Sequence, residues 1–128
     1  MADLFLTRTD VVMQGALDGL AARHRVYADN MANIETPNFQ PREVPFEDQL
    51  RQVRDQMASD PAMVGRTQAL TLDPRPDDQG AARVDGNGVQ ADLQVTRLAE
   101  NTLSYEALVQ AAHMREGLLR SVVTEGKA

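Results

Sequence analysis

Histidine, acidic and hydroxyl side chains are the groups in this chain able to do chemistry, and their spacing argues against it. His24 and His113 are the two histidines. Each stands alone in an apolar helical pattern, and neither belongs to a His-Glu-x-x-His pair that would offer two imidazoles to one metal ion. Glu106, Glu116 and Glu125 recur roughly a helical face apart. Paired carboxylates can do acid–base work in principle, but without a pocket signature they read as solvated helix charges. Ser59 and Ser121 lie outside any nucleophile-elbow motif, and there is no glycine-rich phosphate loop. The absence of cysteine removes disulfides, thiolate metal sites and a thiol nucleophile, and suits a chain that crosses into an oxidising compartment. No catalytic residue, metal site or cofactor is expected, and the chain reads as something other than an enzyme.

The elements that would position these groups point to assembly instead. The 128 residues fit one domain-sized unit, with three Phe, two Tyr and no Trp. A core built on Leu, Val, Met, Ala and Ile suits helix packing better than a sandwich or barrel. The net charge of −6 speaks against nucleic acid as a partner, since phosphate binding needs a basic face. No small-molecule substrate is indicated either. No apolar run approaches the roughly 18 residues of a membrane span. The start, Met1 to Arg8, lacks the basic leader and long apolar run of a secretory signal, so export would use a route without signal cleavage.

The expected fold is mainly α, with three zones. Residues 1–40 hold an N-terminal core helix over 8–34, followed by a Thr-Pro turn. Met13, Leu17, Leu20, His24, Tyr27, Met31 and Ile34 alternate steps of four and three, a heptad-like seam. Gly15 and Gly19 are small positions that permit close approach of a partner helix. Residues 41–91 form a loop-rich middle holding five of the six prolines; Pro37 alone precedes it. Phe46, Leu50, Val53 and Met57 predict a short helix near 46–58. Residues 73–80, with three Asp, two Pro and no apolar anchor, read as an exposed loop. Asp85-Gly86-Asn87-Gly88 is a turn signal, with a small β-hairpin possible around it and Ala81 to Val84 as one arm. Residues 92–128 hold the C-terminal core helix, with Asp92 as N-cap and Gly126-Lys127 as the stop.

Two apolar stripes run along that last helix. Val95, Leu98, Thr102, Tyr105, Val109, Ala112, Glu116 and Leu119 make one, expected to pack on the Met13–Ile34 seam as an antiparallel coiled-coil-like hairpin. Leu103, Ala107, Met114, Leu118 and Val122 make a second. A hairpin partner needs one narrow seam, so the second stripe is expected to meet another subunit.

The sharpest motif closes the first helix: Ala32-Asn33-Ile34-Glu35-Thr36-Pro37-Asn38-Phe39. Pro37 pushes Thr36 out of the helical region and removes a donor, so the helix must end near Ile34. Asn33 can hydrogen-bond freed backbone groups, Asn38 tolerates a left-handed conformation, and Phe39 offers an apolar anchor.

This segment resembles the Ala-Asn-x-x-Thr-Pro-Gly-Tyr signature of the bacterial flagellar rod and hook family. Asp85-Gly86-Asn87-Gly88-Val89, Leu98-Ala99-Glu100-Asn101, Tyr105 and Leu119 to Gly126 extend the resemblance, and the short length is similar to the proximal rod proteins of the basal body. Asn38 and Phe39 replace the usual Gly and Tyr. The resemblance implies paired terminal helices lining a hollow, helically assembled axial tube that transmits torque across the periplasm. It implies export by the flagellar type III apparatus. The implied partners are copies of the chain, other rod proteins and the adaptor that links rod to membrane ring. A helical adaptor or export chaperone binding a client helix, or another rod member, is the alternative.

Overall fold

The computed structural model describes residues 7–60, 62–63, 70–78 and 83–125. Along the chain come helix α1 (Arg8–Ala32), strand β1 (Arg42–Glu43), helix α2 (Glu47–Ser59), strand β2 (Arg75–Pro76) and helix α3 (Ala91–Glu125).

Helix α1 starts at a capping box. Thr7 is extended, its Oγ1 accepts from the Asp10 N–H, and the Asp10 carboxylate accepts from the Thr7 N–H at 2.8 Å. Two of the free N–H groups at the helix start are thereby satisfied. The helix ends at Ala32, ahead of Pro37, with Asn33 as C-cap. Helix α3 opens at Ala91, so Asp92 lies in the first turn and is not the cap. Its carboxylate still complements the positive end of the helix. The expected stop at Gly126-Lys127 lies outside the described residues.

Helices α1 and α3 are antiparallel, and polar side chains set their register. Arg115 meets Asp10, Asn101 Nδ2 donates to the Leu20 carbonyl at 3.0 Å, and Asn30 Nδ2 donates to Gln94 Oε1 at 3.2 Å. This corrects the expected pairing. Of the expected α3 stripe, Leu98 and Val109 are half-buried, while Val95, Tyr105 and Leu119 stay exposed at 54%, 40% and 47%. The face toward α1 runs instead through Gln94, Asn101, Leu108 and Arg115, rotated by about one residue. Two buried amides and a guanidinium outrank the apolar stripe because each finds a partner in the seam, and a buried amide is tolerated only when bonded. On α1, Leu20 and Tyr27 are buried and Met13, Leu17 and Met31 half-buried, as is Ile34 just past its end, whereas His24 is exposed.

The apolar core is Leu20, Val26, Val44 and Phe46, with Ala22, Leu50, Leu72 and Leu108 packed around it. The small positions on α1 receive the middle segment and not α3. A Cβ on Gly19 would lie 2.4 Å from Phe46 Cγ, and one on Gly15 would lie 3.1 Å from a Leu50 methyl. Glycine at 19 is thus required for the Phe46 ring to sit on the helix backbone. Arg23 closes over that ring, its guanidinium 4.5 Å from the centroid, and its Nη2 donates to the Val44 carbonyl at 2.8 Å.

The short helix falls where the 4-3-4 spacing placed it. The small sheet does not fall where expected: β1 and β2 pair antiparallel, Arg42 opposite Pro76 and Glu43 opposite Arg75. The Asp85–Gly88 turn forms, the Arg83 N–H donating across it to the Asn87 carbonyl at 2.8 Å and the Gly86 N–H to the Arg83 carbonyl at 2.9 Å; Ala81 and Ala82, in the expected hairpin arm, lie outside the described residues. Residues 73–78, the described part of the expected 73–80 loop, are also anchored, contrary to the expectation of a free loop. Asp77 is buried and ion-paired with Arg97 of α3, and its N–H donates to the Pro41 carbonyl at 2.9 Å. Residues 79–80 lie outside the described residues.

Candidate assembly site

Two surfaces stand out: a locked turn where α1 ends, and a bare face along α3. The turn is built from two distant stretches of chain. Asn33 Nδ2 donates to the Asp29 carbonyl at 2.8 Å, and the Thr36 hydroxyl donates to Asn33 Oδ1 at 3.2 Å. The Thr36 N–H donates to the Asn33 carbonyl at 3.0 Å and the Phe39 N–H to the Thr36 carbonyl. Pro37 lies inside this bend and is exposed. Asn38 takes φ 59°, the left-handed conformation for which asparagine is the most tolerant residue after glycine.

The 83–89 segment then closes over the bend. The Asn38 N–H donates to the Asp85 carbonyl at 3.1 Å, and the Gly88 N–H donates to the Phe39 carbonyl at 3.0 Å. Gly86 has φ 77°, and a Cβ there would stand 2.3 Å from Asn38 Oδ1. The key is Asn87, which has no exposed surface. Its Nδ2 donates to the carbonyls of Asn33, Ile34 and Thr36 at 2.9, 3.1 and 2.7 Å, and its Oδ1 accepts from the Val89 N–H at 2.7 Å. One amide thus satisfies carbonyls that the end of α1 leaves open. The sequence offered Asp85–Gly88 as a turn; that its asparagine would cap a helix fifty residues upstream had no local signal.

A second amide works one turn earlier. Asn30 is fully buried, its Oδ1 accepts from the Arg42 N–H at 3.0 Å, and its Nδ2 donates to the Arg42 carbonyl at 2.8 Å and to Gln94. It ties β1 to both long helices. Arg97 lies near the face of Tyr27 while pairing with Asp77. Burial works against its charge, but the Asp77 carboxylate more than offsets this and raises its pKa. At the other end of the seam Arg115 holds Asp10 at 2.9 Å and Thr7 Oγ1 at 2.6 Å. These contacts lower the Asp10 carboxyl to a pKa of about 2, with the Arg115 hydrogen bond the largest cause.

The bare face lies on α3. Leu103, Met114, Leu118 and Val122 are 66–69% exposed, and Ala107 among them is exposed too. Nothing among the described residues covers this row: Leu103, Ala107 and Met114 lie off the face that meets α1, and Leu118 and Val122 lie past Arg115, where α1 has ended. Tyr105 borders a shallow groove between the long helices beside Leu20 and His24. Among the described residues no cluster of His, Cys, Asp or Glu could hold a metal ion, and no helix is long and apolar enough to cross a membrane.

No protein-family model matches the chain. It is similar to curated relatives that each carry the name flagellar basal body rod protein FlgB. The Bacillus subtilis protein is 30% identical, with 90% of this chain and 92% of the relative covered. The Escherichia coli protein is 34% identical over 77% of this chain and 80% of its own. The Borrelia hermsii protein is 33% identical, covering 77% and 84%.

Proposed function

The chain belongs to the FlgB family of flagellar basal body rod proteins, and from that premise we propose how its surfaces divide the work of assembly. It is a structural subunit of the rod in the flagellar basal body, a place the relatives favour over a free adaptor or chaperone. The α1–α3 hairpin is the rigid unit. The stripe Leu103, Ala107, Met114, Leu118 and Val122 is the subunit contact, meeting copies of the chain and other rod proteins around a hollow axial tube. The observation that carries this reading is that row of large aliphatic side chains left bare along a helix that α1 covers elsewhere. In water such a row is an interaction surface.

The turn at Asn33, Thr36, Pro37, Asn38 and Phe39 fixes where the chain leaves the helix core, and so how the middle segment is presented to neighbours. The subunit reaches the periplasmic rod through the type III export apparatus without signal cleavage, contacts the adaptor linking rod to membrane ring, and passes torque along the tube. It works without catalysis, cofactor or nucleic acid.

The test is genetic and structural together. Leu103→Asp and Leu118→Asp should leave a helical, soluble chain by circular dichroism while abolishing motility and leaving basal bodies without a rod. Leu20→Asp, in the core, should instead lower helicity. Motile cells carrying the Leu103→Asp, Leu118→Asp double variant would refute the interface.

A further inference from the structure

The turn that closes over the end of α1 carries the chain's one Asn-Gly pair, Asn87-Gly88. The other four asparagines precede Met31, Ile34, Phe39 and Thr102. In an unfolded chain the backbone nitrogen after an asparagine can attack the side-chain carbonyl carbon and close a cyclic imide. A following side chain hinders that approach. Glycine, with no Cβ and the freest backbone, does not. The bond from the Gly88 nitrogen to Asn87 Cγ forms, the Cγ–Nδ2 bond breaks, and ammonia leaves. Water then opens the imide at one of its two carbonyls. The product is aspartate, or its isomer in which the main chain runs through the side chain and gains a methylene. One water enters, one ammonia leaves, and nothing is oxidised or reduced.

The fold closes this route at both reacting groups. Gly88 is buried, and its N–H donates to the Phe39 carbonyl at 3.0 Å, so the attacking nitrogen cannot give its proton to solvent. Asn87 has no exposed surface. Its Nδ2, the leaving group, is held by the carbonyls of Asn33, Ile34 and Thr36, and its Oδ1 by the Val89 N–H. Turning the carboxamide onto the Gly88 nitrogen breaks those bonds. The same packing imposes the labile pair. A Cβ on Gly88 would stand 2.8 Å from Pro41 Cδ, and position 87 needs a short side chain that both donates twice and accepts.

We propose that Asn87 is a deamidation site, open only while the chain is unfolded, and that a chain modified there cannot rebuild the lock. The new carboxylate offers oxygens, and no donor, to the three carbonyls that the amide held. Residue 87 thereby records time spent unfolded and sorts aged chains from fresh ones at the folding step. The inference concerns the free chain and does not rest on the rod assignment.

The purified full-length chain is incubated in mildly alkaline buffer with and without guanidinium chloride, and residue 87 is followed by peptide mass mapping. Asn87 should convert at least about tenfold faster in denaturant, because modification of the folded chain waits on local opening. The Asn87→Gln chain, whose imide would need a larger ring, should lose that fast conversion in denaturant, where its own folding does not matter. A half-converted sample of the natural chain is then refolded and given a brief protease pulse. The surviving chains should be at least about tenfold poorer in the converted form. A ratio below about tenfold in either comparison would overturn the proposal. So would faster conversion at another asparagine, or fast conversion that persists in Asn87→Gln.

Discussion

Replacing Asn87 by alanine should damage this fold more than any other single change to a loop side chain. The amide carries two protons to three carbonyls and accepts one N–H, all within 3.1 Å. Each such bond contributes about 0.5–1.5 kcal/mol net, and a buried group left without a partner costs about 1–3 kcal/mol. Water can reach part of the half-buried Asn33 and Ile34 carbonyls once the side chain is gone, which trims the loss there. Val89 is buried, so its N–H bears the full penalty. The sum is a loss of roughly 2–4 kcal/mol, a sizeable share of the 5–15 kcal/mol typical of whole domains. Asn87→Asp should do worse than alanine, since a carboxylate would face three carbonyl oxygens. Urea and thermal unfolding followed by far-ultraviolet circular dichroism measure both. An Asn87→Ala chain within about 0.5 kcal/mol of the natural one, or an Asn87→Asp chain more stable than Asn87→Ala, would refute the lock.

Gly19→Ala places a methyl 2.4 Å from Phe46 Cγ and should destabilise by about 1–3 kcal/mol, with Phe46→Leu recovering part of the loss in denaturant titrations. Breaking the buried Asp77–Arg97 pair from one side, as Asp77→Asn or Arg97→Met, should cost about 3–5 kcal/mol, while removing both charges together should cost less than the sum; a double-mutant cycle gives the coupling. Asp10 titrates at about 2 when folded against 3.8 in the free carboxyl. Its pKa falls on folding, so its contribution is present above pH 3.8 and is lost as the pH drops toward 2. Urea midpoints across that window should slope less in Asp10→Asn than in the natural chain.

Heptad spacing and the Pro37 stop were enough to locate both long helices, and the 4-3-4 run of Phe46, Leu50, Val53 and Met57 was enough for the short one, because period and punctuation are local properties. The Ala32–Phe39 and Asp85–Val89 motifs were legible as turns for the same reason, and their order along the chain pointed to the family. The partners of those motifs were not legible. Asn87 looks like one more turn asparagine until folding brings it under the end of α1. Gln94 and Asn101 look like surface amides, and they displaced the apolar Val95–Leu119 stripe from the seam because each finds a carbonyl or amide across it. Asp77 reads as part of a polar loop until Arg97 pairs with it beside Tyr27. Residue type and spacing therefore determined the helices and the candidate turn, and the neighbourhood in which α1 ends. Which face of α3 is buried, and which is left bare, was decided by hydrogen bonds between residues dozens of positions apart, and that information exists only once the chain has folded.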